Sequence, residues 1–175
     1  MQTNTPSITN SEKLRRANAK FVEHYAQWAS HMLTLTFKSS KNCVALSQSQ
    51  TDRLLNHLRV DLNYNVWKKR SKYNVKANIL YIPIVEGSTD NKQMHLHILV
   101  GNIKDVQQLH TFIEMYIRRW TFLGFKYDIR EIYSVDGLCW YLTKETQRIN
   151  TEAVRWESAL IPASLIPKQH TLLYA

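Results

Sequence analysis

Residues 94–100 read Met-His-Leu-His-Ile-Leu-Val, and no other stretch constrains the fold as tightly. Large apolar and β-branched residues, with turn residues just upstream, predict a strand. Side chains alternate along a strand, so Met94, Leu96 and Ile98 share one face while His95 and His97 share the other. The apolar face has to be buried in a core. Two imidazoles on rigid backbone are either half of a metal site or a pair of structural histidines.

The preceding residues bear on that choice. A strand is predicted over 77–86, and Pro83 within it points to an edge position or a bulge. Residues 87–92 have turn composition, so the two strands form a hairpin with Glu86 expected opposite Gln93. Gln93, His95 and His97 share a face, and cross-strand partners share faces, so Glu86 joins the histidines. A carboxylate and two imidazoles make a three-ligand set with open positions, suited to Mn²⁺ or Mg²⁺ beside a phosphate. The plainer alternative is a solvated carboxylate at a strand end.

The rest of the chain supplies the other elements. Residues 1–9 are expected to be disordered. A helix begins at Asn10 or Ser11, with Leu14, Ala17, Phe21, Tyr25 and Trp28 on one face. Residues 31–37 alternate as a strand, with Leu33, Leu35 and Phe37 opposed to Thr34 and Thr36. A helix follows over 52–63, carrying Leu54, Leu55, Leu58 and Leu62. Another starts at Lys104–Asp105, with Gly124 expected just past its end. A strand over 125–133, a helix over 137–148 and a weaker helix over 151–160 complete the count, and 161–175 is expected to be an irregular tail.

Without the first helix, the order is strand, helix, strand, strand, helix, strand, helix. This is the β-α-β-β-α-β unit of ferredoxin-like and RRM-like α+β domains. The expectation is an antiparallel sheet with helices on one face and an additional N-terminal helix. In this topology the first and third strands are central, which puts the histidines mid-sheet. Residues 10–160 form the expected domain, because 175 residues suit one domain with a sizeable core.

Charge and cysteine content narrow the partners. A net charge of +9 favours a polyanion, nucleic acid before membrane. No apolar run is long enough for a transmembrane helix. Cys43 and Cys139 lie far apart, which fits a reducing, intracellular setting. No G-x-x-x-x-G-K-[ST] run is present, which excludes a P-loop ATPase. The stretch Trp67, Lys68, Lys69, Arg70, Lys72 and Tyr73 mixes cations for phosphates with rings for stacking, or is a solvated loop anchored by its rings. Arg118, Arg119 and Lys126 read as a solvated helix end.

Tyr141 and Lys144 are three apart in the helix expected over 137–148, so they share a face. A cation beside a phenol favours the phenolate, which makes Tyr141 a candidate nucleophile. The alternative is a core tyrosine next to a surface lysine.

Three segments in order now resemble the HUH endonucleases, specifically the single-tyrosine rolling-circle replication initiators. Leu33-Thr34-Leu35-Thr36-Phe37 is similar to their first motif. His95-Leu96-His97 is similar to the second, with Glu86 upstream on the preceding strand. Tyr141-Leu142-Thr143-Lys144 is similar to the Y-x-x-K third motif. The resemblance spans residues 31–148. It implies metal-dependent nicking and joining of single-stranded origin DNA through a 5′-phosphotyrosine, for a plasmid or virus. Glu86, His95 and His97 would be the metal ligands. No helicase domain follows the motifs, which implies a separate helicase and polymerase as partners. The compartment implied is the bacterial cytoplasm, or the nucleus for a eukaryotic virus. Two other readings stand beside it: a transposase or relaxase of the same superfamily, and a non-catalytic RRM-like nucleic-acid-binding module.

Overall fold

A computed structural model describes residues 9–37, 46–74, 76–87, 94–120, 123–135, 137–138, 142 and 153–166. The protein is α+β, built on one four-stranded sheet. Helix α1 (Asn10–Ala26) leads into strand β1 (His31–Phe37). Helix α2 (Gln48–Trp67) and the single turn α3 (Arg70–Tyr73) precede β2 (Leu80–Glu86). Strand β3 (His95–Gly101), helix α4 (Val106–Arg119) and strand β4 (Leu123–Glu131) follow. The sheet order is β2-β3-β1-β4, with every neighbouring pair antiparallel. That order is compatible with a ferredoxin-like arrangement, and it puts β1 and β3 at the centre as the sequence predicts.

Local chemistry explains where the helices begin. The Thr9 side chain accepts from the Glu12 backbone N–H and caps α1, ahead of the expected start at Asn10 or Ser11. Helix α2 starts four residues before the expected Asp52 because Ser47 and Gln50 form a reciprocal capping box. It also continues to Trp67, past the expected residue 63. Asp105 caps α4, which begins at Val106, next to the expected start at Lys104–Asp105.

The alternation in the strands sorts residues into two cores. On the first face, Leu33, Leu35 and Phe37 of β1 meet Leu96, Ile98 and Val100 of β3 and Tyr81 and Val85 of β2. Leu54, Leu55, Leu58 and Leu62 of α2, with Leu109, Ile113 and Ile117 of α4, cover them. The second face is not left open, contrary to the expectation of helices on one face alone. Val22 and Ala26 of α1 pack there against Leu80, Ile82 and Ile84 of β2 and Leu99 of β3, together with Leu142, Ala153 and Val154. The buried stripe of α1 is therefore rotated from the expected one. Asn18, Val22 and Ala26 are inaccessible, whereas Leu14 and Trp28 are exposed.

The expected helix over 151–160 is corrected: 153–160 runs along the outer edge of β2. Tyr81 N–H donates to the Leu160 carbonyl and Leu160 N–H returns a bond to Tyr81. Val85 N–H donates to Ala153, and Arg155 N–H donates to the Pro83 carbonyl. Pro83 has the same parity as Tyr81 and Val85, so its missing N–H falls on the outward side, where the inner ladder to β3 loses nothing. A single 3-10 turn, Trp156–Ser158, interrupts this strap, and packing continues beyond residue 160 through Ile161 and Leu165. Gly124 lies inside β4 instead of ending α4, which closes at Trp120.

Gly101 shows how tightly α1 is joined to the sheet. A Cβ built on it would lie 2.2 Å from the Trp28 carbonyl oxygen. Only glycine lets the α1–β1 connection cross the end of β3, where Ser30 N–H bonds to Val100. Gly101→Ala should therefore destabilise the protein by about 1–3 kcal/mol. A lower urea midpoint at unchanged m-value is the expected readout, and an unchanged midpoint would contradict the close approach.

Candidate metal centre

The antiparallel registers fix which side chains meet on the second face. Thr34 is paired with His97 and Thr36 with His95. On the other side of β3, Ile84 is paired with His97 and Glu86 with His95. Glu86 thus stands opposite His95 instead of the expected Gln93, a slip of two residues. Two is the side-chain period, so the slip leaves Glu86 on the histidine face as predicted.

Glu86 reaches diagonally past its partner. Its Oε2 lies 2.9 Å from His97 Nε2. His97 is buried, with only 5 % exposure, and the Glu86 carboxylate is largely covered as well. The other ring nitrogen of His97, Nδ1, lies 3.0 Å from the Thr34 hydroxyl. An ionised carboxylate only accepts, so the Nε2 proton is donated to Glu86, and in the neutral ring Nδ1 accepts from Thr34. His95 repeats the inner half of this pattern, with Nδ1 3.3 Å from the Thr36 hydroxyl. The two imidazoles stand nearly parallel, 18° between planes and 6.4 Å between centroids.

One donor pair has the spacing of two ligands of a small divalent cation. Ligand bonds of about 2.1 Å at right angles separate neighbouring donor atoms by about 3.0 Å. The Glu86–His97 contact matches that spacing, and its bridging proton is what a cation would replace. His95 stands apart from this pair: among the described residues, no three His, Cys, Asp or Glu side chains converge closely enough to enclose an ion. Two donors are assembled, and the third is on the adjacent position of the same face.

Tyr141 and Lys144 lie outside the described residues. Leu142, next to Tyr141, is buried in the second-face cluster that also holds Ile84, the cross-strand partner of His97. The basic-aromatic stretch lies elsewhere. Trp67 packs on the first-face core and Lys104 sits over its ring, 4.5 Å from the centroid. Residues 76–78 bond to Asn102, just beyond Gly101. This is the opposite end of β3 from His95, about 20 Å away at 3.3 Å per residue. Lys68, Lys69, Arg70, Lys72 and Tyr73 are all exposed there, the last three in the one-turn α3.

Sequence reasoning missed a basic group beside the histidines. Lys126 is on β4, not at a helix end with Arg118 and Arg119. Asp128 pairs with Thr34 and Arg130 with Met32, so both are on the histidine face. A shallow groove lined by Thr34, Thr36, Lys126, Tyr127, Asp128 and Arg130 runs next to the imidazoles. The alternation in Lys-Tyr-Asp-Ile-Arg carried that signal. Burial or a neighbouring carboxylate disfavours the phenolate at several other tyrosines. Burial raises the Tyr81 and Tyr116 phenols well above the ordinary tyrosine range, on the first face. Tyr133 is exposed beyond the far end of β4, and the Glu131 carboxylate that accepts its hydroxyl proton raises its pKa.

No family model, curated protein or solved structure matches the chain. Among the described residues no helix is long and apolar enough to cross a membrane.

A cation held on this face would depend on Glu86 and His95. Glu86→Gln keeps the shape of the side chain but removes its charge, and His95→Ala removes the third donor at a half-exposed position. Each should weaken Mn²⁺ binding at least about tenfold, ~1.4 kcal/mol, by calorimetry. Equal affinity in both variants would remove Glu86 and His95 from the centre.

Proposed function

We propose that this protein nicks and joins single-stranded DNA as a metal-dependent HUH-type endonuclease that initiates rolling-circle replication. One observation carries the reading: the 2.9 Å contact between Glu86 and His97 on a sheet face that Leu142, the neighbour of Tyr141, packs against. Leu142, the one described residue of the third motif, is buried on the sheet face that carries the second, which supports assigning both to one site.

Glu86, His95 and His97 would hold Mn²⁺ or Mg²⁺. The bound ion would neutralise charge on the scissile phosphate. The Tyr141 oxygen attacks phosphorus, the new O–P bond replaces the bond to the 3′-oxygen, and the leaving 3′-oxygen takes a proton. The product is a 5′-phosphotyrosine and a free 3′-hydroxyl. Because one phosphodiester replaces another, a later 3′-hydroxyl reverses the step and joins strands without ATP. Lys144 orients the phenolate or offsets phosphate charge. Lys126 and Arg130, the latter paired with Asp128, stand beside the site, and the patch of Lys68, Lys69, Arg70 and Lys72 supplies cations at the far end of the sheet.

An RRM-like binding module predicts stacking rings on the exposed sheet face. Among the strand residues whose side chains are described, Phe37, Tyr81 and Tyr127 all belong to the first-face core. The second face presents imidazoles and hydroxyls, which favours the catalytic reading.

Tyr141→Phe should keep stability and DNA affinity yet lose both nicking and the covalent adduct, while Lys144→Ala should slow adduct formation without abolishing it. Mass spectrometry of the complex trapped with labelled oligonucleotides and Mn²⁺ decides. A nucleotide on the Tyr141 peptide supports the proposal, and an adduct on Tyr133, or none, sinks it.

Replacing Lys68, Lys69 and Arg70 with alanine tests the distant patch. If DNA tracks over it, the log–log salt slope of single-strand binding falls by about 0.7 for each phosphate that is no longer neutralised. An unchanged slope assigns the DNA path to the Lys126 and Arg130 side.

A further inference from the structure

Both histidines of the candidate centre have the same neighbour at the same atom. His97 Nδ1 meets the Thr34 hydroxyl at 3.0 Å, and His95 Nδ1 meets the Thr36 hydroxyl at 3.3 Å. Each pair is in direct cross-strand register between the two central strands. A one-residue slip of that register would set an apolar residue, leucine or Phe37, opposite each histidine. The alternation Thr-Leu-Thr at 34–36 of β1 is therefore matched, position for position, to His-Leu-His at 95–97 of β3.

The chemistry of an imidazole ligand gives this match a purpose. A ring that ligates through Nε2 carries its proton on Nδ1, and that N–H needs an acceptor to fix the tautomer and the ring plane. A hydroxyl is suited to the task because it both donates and accepts. Without a cation, Thr34 donates to His97 Nδ1 while Nε2–H is held by Glu86. With Nε2 committed to a cation, the proton resides on Nδ1 and the same hydroxyl accepts it. Neither state leaves Nδ1 of the buried ring unsatisfied. A carboxylate in place of Thr34 would accept but never donate, so it would serve the loaded state alone.

We infer that Thr34 and Thr36 are the positioning residues of the centre, each holding one histidine in the Nδ1–H tautomer that leaves Nε2 for a cation. This inference rests on the metal-site reading of Glu86, His95 and His97. It assigns a role to the 33–37 segment that strand propensity does not require, since valine would serve a strand equally well.

That equivalence supplies the experiment. Thr34→Val and Thr36→Val keep the branched shape and remove only the hydroxyl, while Thr34→Ser and Thr36→Ser restore it. The full chain is titrated with Mn²⁺ by calorimetry, and histidine ¹⁵N shifts are read in the Mg²⁺-loaded protein. The valine variants should bind Mn²⁺ about 10- to 100-fold more weakly, with unchanged circular dichroism, and the serine variants should recover affinity. The loaded wild-type protein should show both rings as Nδ1–H. If Thr34→Val perturbs the fold at the buried His97, Thr36→Val at the half-exposed His95 carries the same test. Wild-type binding with equal affinity in both valine variants overturns the positioning role alone. No Mn²⁺ binding by the wild-type protein overturns the metal-site reading and this inference with it.

Discussion

The antiparallel pairing of β1 with β3 is the constraint on which the rest depends. One register sets Leu33 against Ile98 and Leu35 against Leu96 on the first face, and Thr34 against His97 and Thr36 against His95 on the second. The first set makes the core that α2 and α4 cover. The second makes the polar platform. Because the side-chain period is two, neither can be displaced without displacing the other. Core packing therefore holds the candidate site in register, and the central position of both strands makes the platform rigid.

The second face divides along its length. Toward the Gly101 end, α1 seals Leu80, Ile82 and Leu99. Toward the His95 end, the strands carry Thr36, Glu86 and the histidines. His97 sits at the boundary, paired with Ile84, which bridges to Val154 of the strap along β2. This explains why one histidine is buried and the other half-exposed. At that boundary low polarity strengthens the Glu86–His97 interaction, and desolvation would make either group costly alone. A cation centre here would have one dry donor pair and one accessible donor.

Much of the site was legible in sequence because a strand has only two faces. The placement of Glu86 with His95 and His97 survived an error in turn length, since the error was an even number of residues. The position of Pro83 on an edge strand followed from its missing N–H. The capping box Ser47–Gln50 was also present in the sequence, and weighing it would have set the start of α2 correctly. Sequence reading failed where two faces compete for helices. Leu14 and Trp28 are apolar and correctly spaced, yet α1 buries Asn18, Val22 and Ala26, because the surface it meets is decided by Leu80, Ile82 and Leu99 from later strands. The 151–160 segment was misread for a related reason: it completes the hydrogen bonding of β2, and that requirement belongs to the sheet edge.

The sequence by itself determined the strand count, the alternation and the grouping of Glu86, His95 and His97, because these follow from local periodicity. Tertiary structure alone decided that Thr34 and Thr36 meet the two Nδ1 atoms, that Lys126 and Arg130 join the same face, and that residues 67–73 lie at the far end of the sheet. Those relations depend on which strands become neighbours and in which direction each helix returns. Such choices are made by burial across the whole chain, and no single stretch records them.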